Sequence, residues 1–148
     1  MLTKLKINNY ALIDSLEISF NEGMTSITGE TGAGKSIILG GLSMVLGSRV
    51  DNSKIINKEK KCFVEATFDL TDIYLRDYFR KNDLDYDVIT IIRREVNQNG
   101  KSRAFINDTP VKLDQLSGLT NRLIDVHSQF NNLSTVSYTH LRAHETKR

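Results

Sequence analysis

Apolar and polar positions alternate at the start of the chain. Leu2, Leu5 and Ile7 stand among Thr3, Lys4, Lys6 and Asn8, a strand pattern. Leu16, Ile18 and Phe20 alternate with Ser15, Glu17 and Ser19 and predict a second strand, turned by Asn21-Glu22-Gly23. Met24 to Thr28 reads as a short strand that runs straight into a glycine-rich loop. From Lys35 the period becomes helical. Ile38, Leu42, Val45 and Leu46 fall on one face, and Gly47 stands where a helix-ending glycine belongs.

Residues 62 to 70 alternate again, and Thr71 or Asp72 is expected to cap a short helix carrying Ile73, Leu75, Tyr78 and Phe79. The β-branched run from Val88 to Val96, the turn Asn97-Gln98-Asn99-Gly100 and the return from Ser102 to Asn107 predict an antiparallel hairpin. Pro110 is expected to break the chain before a helix over residues 113 to 119. Leu123 to Val126 reads as a last short strand, ending in the loop His127-Ser128-Gln129. The fold class this implies is α/β. Residues 24–28 and 123–126 should lie in a central sheet whose ends bring the glycine-rich loop and Gln129 to one edge, with the 88–107 hairpin to one side.

The chemistry concentrates in Gly29-Glu30-Thr31-Gly32-Ala33-Gly34-Lys35-Ser36, a full Walker A pattern. Glycines let the backbone fold around a phosphate and present several N–H groups to it. The helix that follows aims its positive end at the same point, and Ile37 in it is also expected to contact the nucleotide. Lys35 is expected to reach the β- and γ-phosphates of ATP, and the Ser36 hydroxyl to ligate Mg²⁺. Such a pattern arises by chance in roughly one chain of this length in two hundred. Its expected position between an apolar strand and an amphipathic helix is the context the motif requires, and weighs against an ordinary glycine-rich turn with an exposed lysine.

The flanking residues narrow the choice among P-loop proteins. Leu5-Lys6-Ile7-Asn8-Asn9-Tyr10-Ala11-Leu12-Ile13 precedes the loop. Arg93-Arg94-Glu95-Val96 and the stretch from Asn99 to Val111 form a second block, and Leu123-Ile124-Asp125-Val126-His127-Ser128-Gln129 a third. In this order and spacing the three blocks resemble the RecN family over residues 1 to about 135. That resemblance implies a P-loop, ABC-type, SMC-like head lobe with a mixed central sheet and an antiparallel side sheet, split by a long coiled coil. It implies an ATPase of bacterial double-strand-break repair and recombination, in which two heads of a homodimer sandwich ATP and the full-length protein meets DNA. It also gives Gln129 a role in holding Mg²⁺ and the attacking water, and a location in the cytoplasm on the nucleoid.

Arg49 stands where related heads place a basic residue against nucleotide or DNA, with a solvated surface role an equal alternative. Arg93 and Arg94, adjacent on a strand, point to opposite faces and are expected to pack or face solvent. Leu116-Ser117-Gly118-Leu119 lacks the second glycine of the ABC signature, and Leu123-Ile124-Asp125 lacks the apolar run and following glutamate of Walker B. Neither is the real element. The fragment is therefore expected to bind ATP without hydrolysing it alone. Residues 136–148 carry no heptad and hold two of the three histidines, so they are set apart as a non-native tail.

Composition changes little. Twenty Lys and Arg against eighteen Asp and Glu give a net charge of +2, so any nucleic-acid contact must come from a local patch. No apolar run approaches the roughly 20 residues of a membrane helix. The single cysteine, Cys62, excludes an internal disulfide and is expected to be a buried strand residue. Two other functions fit a P-loop of this size: a small kinase, and a nucleotide-binding module without catalysis. A kinase would require a lid with paired arginines and a late acceptor-site aspartate, neither of which can be placed.

Overall fold

The computed structural model describes residues 1–30 and 33–126. Six strands form one sheet in the order β2-β1-β3-β4-β5-β6. They are β1 (Leu2–Tyr10), β2 (Ile13–Ser19), β3 (Cys62–Asp69), β4 (Ile89–Val96), β5 (Ser102–Ile106) and β6 (Thr109–Val111), with helices α1 (Ala33–Val45), α2 (Arg76–Lys81) and α3 (Leu113–Leu123). Every neighbouring pair is antiparallel. The class is α/β, as expected, and the 88–107 hairpin is present as β4 and β5, inside this sheet rather than beside it.

One face of the sheet is apolar because the period of two places alternate residues there. In β3, Cys62, Val64, Ala66 and Phe68 are buried, while Phe63, Glu65, Thr67 and Asp69 are half-exposed. Cross-strand pairing extends this into rows: Leu5, Ala66, Ile92 and Ile106 form one, and Ile7, Val64, Arg94 and Ala104 the next. On the opposite face, Glu17 accepts ion pairs from Lys4 and Lys6. Helix α1 packs on the apolar face, α3 packs against β5, and Tyr78 of α2 donates its hydroxyl to the Gln115 carbonyl of α3 at 2.7 Å.

Cys62 is wholly buried in β3, and burial pushes its thiol up to about 11. The thiolate is the reactive form, so the folded protein should resist alkylation. Iodoacetamide at pH 8 is expected to label Cys62 only after denaturant is added; rapid labelling of the native protein would contradict this placement.

Several expectations are corrected. Residues 24–28 form no strand: Met24 is 97% exposed and Ile27 44%, and no described segment lies alongside to supply hydrogen bonds. Residues 124–126 are likewise irregular, and Leu123 ends α3 instead of opening a strand. Neither Thr71 nor Asp72 caps α2. Thr71 is taken up by the Asp69 carboxylate, and α2 starts from Leu75 without a side-chain cap. Pro110 does not break the chain: it sits in edge strand β6 opposite Phe105, where a missing N–H is tolerated. The two residues before β6, Asn107 (φ 46°) and Asp108 (φ 64°), make the left-handed turn a tight hairpin requires.

Candidate functional site

The site is built around α1, whose seating on the sheet differs from the helical face predicted. The buried positions are Ile37, Gly41, Met44 and Val45, one residue round from Ile38 and Leu42, which are only partly buried. Gly40 and Gly41 explain the rotation. A Cβ at Gly41 would lie 2.7 Å from Ile7 Cδ1, and one at Gly40 would lie 2.9 Å from the Tyr10 hydroxyl. The helix approaches the sheet backbone-close, and it can do so only through its side-chain-free edge.

The C-terminal end of α1 is fastened three ways. Gly47 (φ +97°) closes a Schellman motif, with Ser48 N–H donating to Ser43 O at 3.0 Å and Gly47 N–H to Met44 O at 3.2 Å. A side chain at Gly47 would also collide with the Ser117 hydroxyl of α3. Finally, Arg94 is 1% exposed; its guanidinium donates to Met44 O at 2.9 Å, Ser48 O at 3.1 Å and the Ser102 hydroxyl at 2.6 Å. Arg94 therefore packs inward, and Arg93 lies half-exposed over the Phe105 ring, 5.0 Å from its centroid. The opposite-face expectation holds.

At the other end, Gly34, Lys35 and Ser36 are exposed in the first turn of α1. That turn carries no acidic residue to compete with an anion. Lys35 forms no ion pair among the described residues. A Cβ added at Gly29 or Gly34 would meet nothing within 4 Å, so open space faces the loop where phosphates would lie. Glu30 is exposed beside it. These groups fit a phosphate with its Mg²⁺: a helix N-terminus, an ammonium, a hydroxyl and a clear approach. Thr31 and Gly32, the side chain of Ala33, and Gln129 with the rest of residues 127–148 lie outside the described residues.

A cavity of about 260 Å³ abuts this first turn. Ser36 and Ile37 form one wall, Tyr10, Ala11 and Leu12 another, and Ser53, Lys54 and Ile56 the third. The walls are held in place. Ala11 N–H donates to Lys54 O at 2.6 Å, and buried Asn9 donates its amide to Asn57 O at 2.7 Å and Lys60 O at 2.9 Å. Both Asn9 and Ala11 have φ of 51°, the left-handed conformation that folds this corner over. Sequence reading missed this corner because its contacts span more than forty residues. The same 52–60 segment, with the 97–100 turn, borders a second cavity of about 330 Å³ lined by Lys58, Lys60, Asn52 and Gln98. Between residues 49 and 61 the chain has five basic and two acidic residues, a local excess that the near-neutral total conceals. Arg49 is exposed just after α1.

The signature-like stretch is structural. Leu116 and Leu119 are fully buried in α3, and Gly118 lets the Tyr78 hydroxyl within 2.6 Å of where its Cβ would be.

Comparison with known proteins extends this. A family model described as "AAA domain" matches residues 4–143. The DNA repair protein RecN of Vibrio cholerae is 44% identical over 130 residues, covering 87% of this chain and 24% of its own length. RecN of Bacillus subtilis is 34% identical over 134 residues, covering 89% and 23%. The chain thus spans about a quarter of the length of the curated relatives it matches. The resemblance read from the three motif blocks is borne out. Among solved structures, an Smc head bound to the C-terminal winged-helix domain of ScpA superposes with a TM-score of 0.65 at 23% identity, covering 84% of this chain and 41% of that one. The ATP-bound recombination mediator RecF superposes at 0.56 and 18%, covering 75% and 27%. Both share the fold.

Proposed function

We propose, from the premise that this chain belongs to the AAA domain family, that it is the ATP-binding part of a RecN-like ATPase acting in DNA double-strand-break repair and recombination. The observation that carries this is the exposed first turn of α1: Gly34, Lys35 and Ser36 are exposed, and a Cβ at Gly29 or Gly34 would meet nothing within 4 Å. The backbone N–H groups from Gly29 to Ser36, with Ile37 completing the turn, hold the phosphates, and the α1 dipole reinforces them. Lys35 binds the β- and γ-phosphate oxygens. Ser36 supplies a hydroxyl ligand, and Mg²⁺ neutralises charge on the phosphates when bound. The cavity beside Tyr10 and Ile37 takes the nucleoside end, since it opens onto the same turn.

The curated relatives are about four times as long, and the rest of the machinery would lie in sequence corresponding to their remaining length. Within residues 1–148 there is no Leu-Ser-Gly-Gly signature and no Walker B glutamate, so the carboxylate that would act on the attacking water is not among these residues. A second head in a homodimer would supply the facing signature, and Gln129 would hold Mg²⁺ and the attacking water. Residues 24–28 would gain their strand partner from that remaining length. DNA would be met by the basic 49–61 segment, of which Lys58 and Lys60 line the second cavity while Lys54 lines the one beside α1. The protein would work in the cytoplasm, on the nucleoid; no described helix is long and apolar enough to cross a membrane.

The test is turnover. Purified residues 1–148 are expected to release no phosphate from ATP above the level of Lys35→Ala. Robust turnover that disappears in Lys35→Ala would refute this reading and favour a small P-loop kinase.

A further inference from the structure

The nucleotide reading makes no use of the most deeply buried charge among the described residues. Arg94 sits in the middle of β4, in the row Ile7–Val64–Arg94–Ala104 that runs beneath α1. Its partners are two backbone carbonyls and a hydroxyl, all neutral. Its Nε is buried with no hydrogen-bond partner among the described residues. A buried guanidinium without a carboxylate is costly, and a hydrophobic side chain would fill the same space more cheaply. What Arg94 contacts suggests why it is there. The Met44 carbonyl lies in the last turn of α1 and the Ser48 carbonyl just past its Gly47 cap, both at the negative end of the helix whose positive end is the P-loop.

The seating of α1 shows what such a contact controls. The helix touches the sheet closely at Gly40 and Gly41 and is clamped by Arg94 at Met44 and Ser48, while its first turn is exposed. A tilt of α1 about its close contact at Gly41 would move both of its ends together. At 1.5 Å rise per residue, Lys35 lies about 9 Å from that contact on one side and Met44 about 4.5 Å on the other. A displacement at Met44 is therefore roughly doubled at Lys35, and misplacements of about 1 Å are enough to cost a binding or reacting group its geometry.

We propose that Arg94 is a positioning residue for the nucleotide site: by gripping the C-terminal carbonyls of α1 it sets the tilt and axial placement of the helix that presents Lys35 and Ser36. This rests on the P-loop being the ATP site, which Lys35→Ala tests separately. The Ser102 hydroxyl fixes the guanidinium from β5, so the β4–β5 hairpin and the P-loop are joined through one side chain.

The experiment uses the full-length protein and measures Mg-ATP affinity by calorimetry beside the thermal midpoint without nucleotide. Arg94→Met keeps length and removes the donors; it is expected to weaken ATP binding about tenfold. Arg94→Lys, which can still donate to one of the carbonyls, should recover affinity to within about threefold of wild type. Phe79→Leu, fully buried in α2 and away from α1, is the control for general loss of stability. It should lower the thermal midpoint and leave ATP affinity within about twofold. Wild-type affinity in a folded Arg94→Met would overturn the proposal. So would an equal loss in Phe79→Leu at the same drop in midpoint. If Arg94→Met fails to fold, Ser102→Ala decides: ATP binding weakened by more than about threefold with an intact fold supports the positioning role, and wild-type affinity overturns it.

Discussion

Gly34→Val is expected to abolish Mg-ATP binding, and Lys35→Ala to weaken it about tenfold or more, with the fold unchanged in both. The structure explains why neither should disturb packing. A Cβ at Gly34 meets nothing within 4 Å, and Lys35 is exposed in the first turn of α1. The space that would receive the valine is the approach to the backbone N–H groups, so the substitution blocks the phosphates without straining the helix. Lys35 contributes a charge-assisted contact of about 1.5–3 kcal/mol. A factor of ten corresponds to about 1.4 kcal/mol, which sets the lower bound on the loss. Titration calorimetry with circular dichroism as the folding control measures both. Equal ATP affinity in wild type and Lys35→Ala would show that this loop is not the site, and the proposed function would fall with it.

Phe68→Ala should cost about 3–5 kcal/mol of stability, the usual range for emptying a buried phenylalanine site. Phe68 is fully buried in β3, the strand between β1 and β4, with Leu2 and Thr90 as its cross-strand partners. Backbone pairing on both sides leaves little freedom for the site to collapse, which places the expected cost well above that of a surface change. Against a typical domain stability of about 5–15 kcal/mol, the substitution removes a large share. Denaturant titration followed by circular dichroism reads the loss. Exposed Tyr74→Ala, at 77% exposure, is the comparison and should stay within about 0.5 kcal/mol. A Phe68→Ala loss no greater than that of Tyr74→Ala would contradict the core described here.

What the sequence determined by itself was mostly what is local in its physics, although the cap of α2, equally local, was not among it. The alternation of Cys62, Val64, Ala66 and Phe68 sets which face of β3 is buried, because a strand turns its side chains over every residue. The Asn97–Gly100 turn joins β4 to β5 because its residues tolerate that geometry, with Gly100 at φ 74°. The proposed phosphate cradle is legible for the same reason: its donors, lysine and hydroxyl would come from eight consecutive residues.

The tertiary structure decided whatever depends on a partner distant in the chain. Residues 24–28 have the composition of a strand, but strand hydrogen bonds must come from another segment, and none of the described ones lies beside them. The buried face of α1 was chosen by Ile7 and Tyr10, which accept the bare edge at Gly40 and Gly41 more closely than Ile38 or Leu42 would allow. Periodicity located the stripe and missed its centre by one residue, about 100° of rotation. Arg94 read as either packing or solvent-facing until Met44, Ser48 and Ser102, between eight and fifty residues away, were found around its guanidinium. A buried charge is tolerated only where several such groups converge, and convergence is a property of the folded chain rather than of any stretch of its sequence.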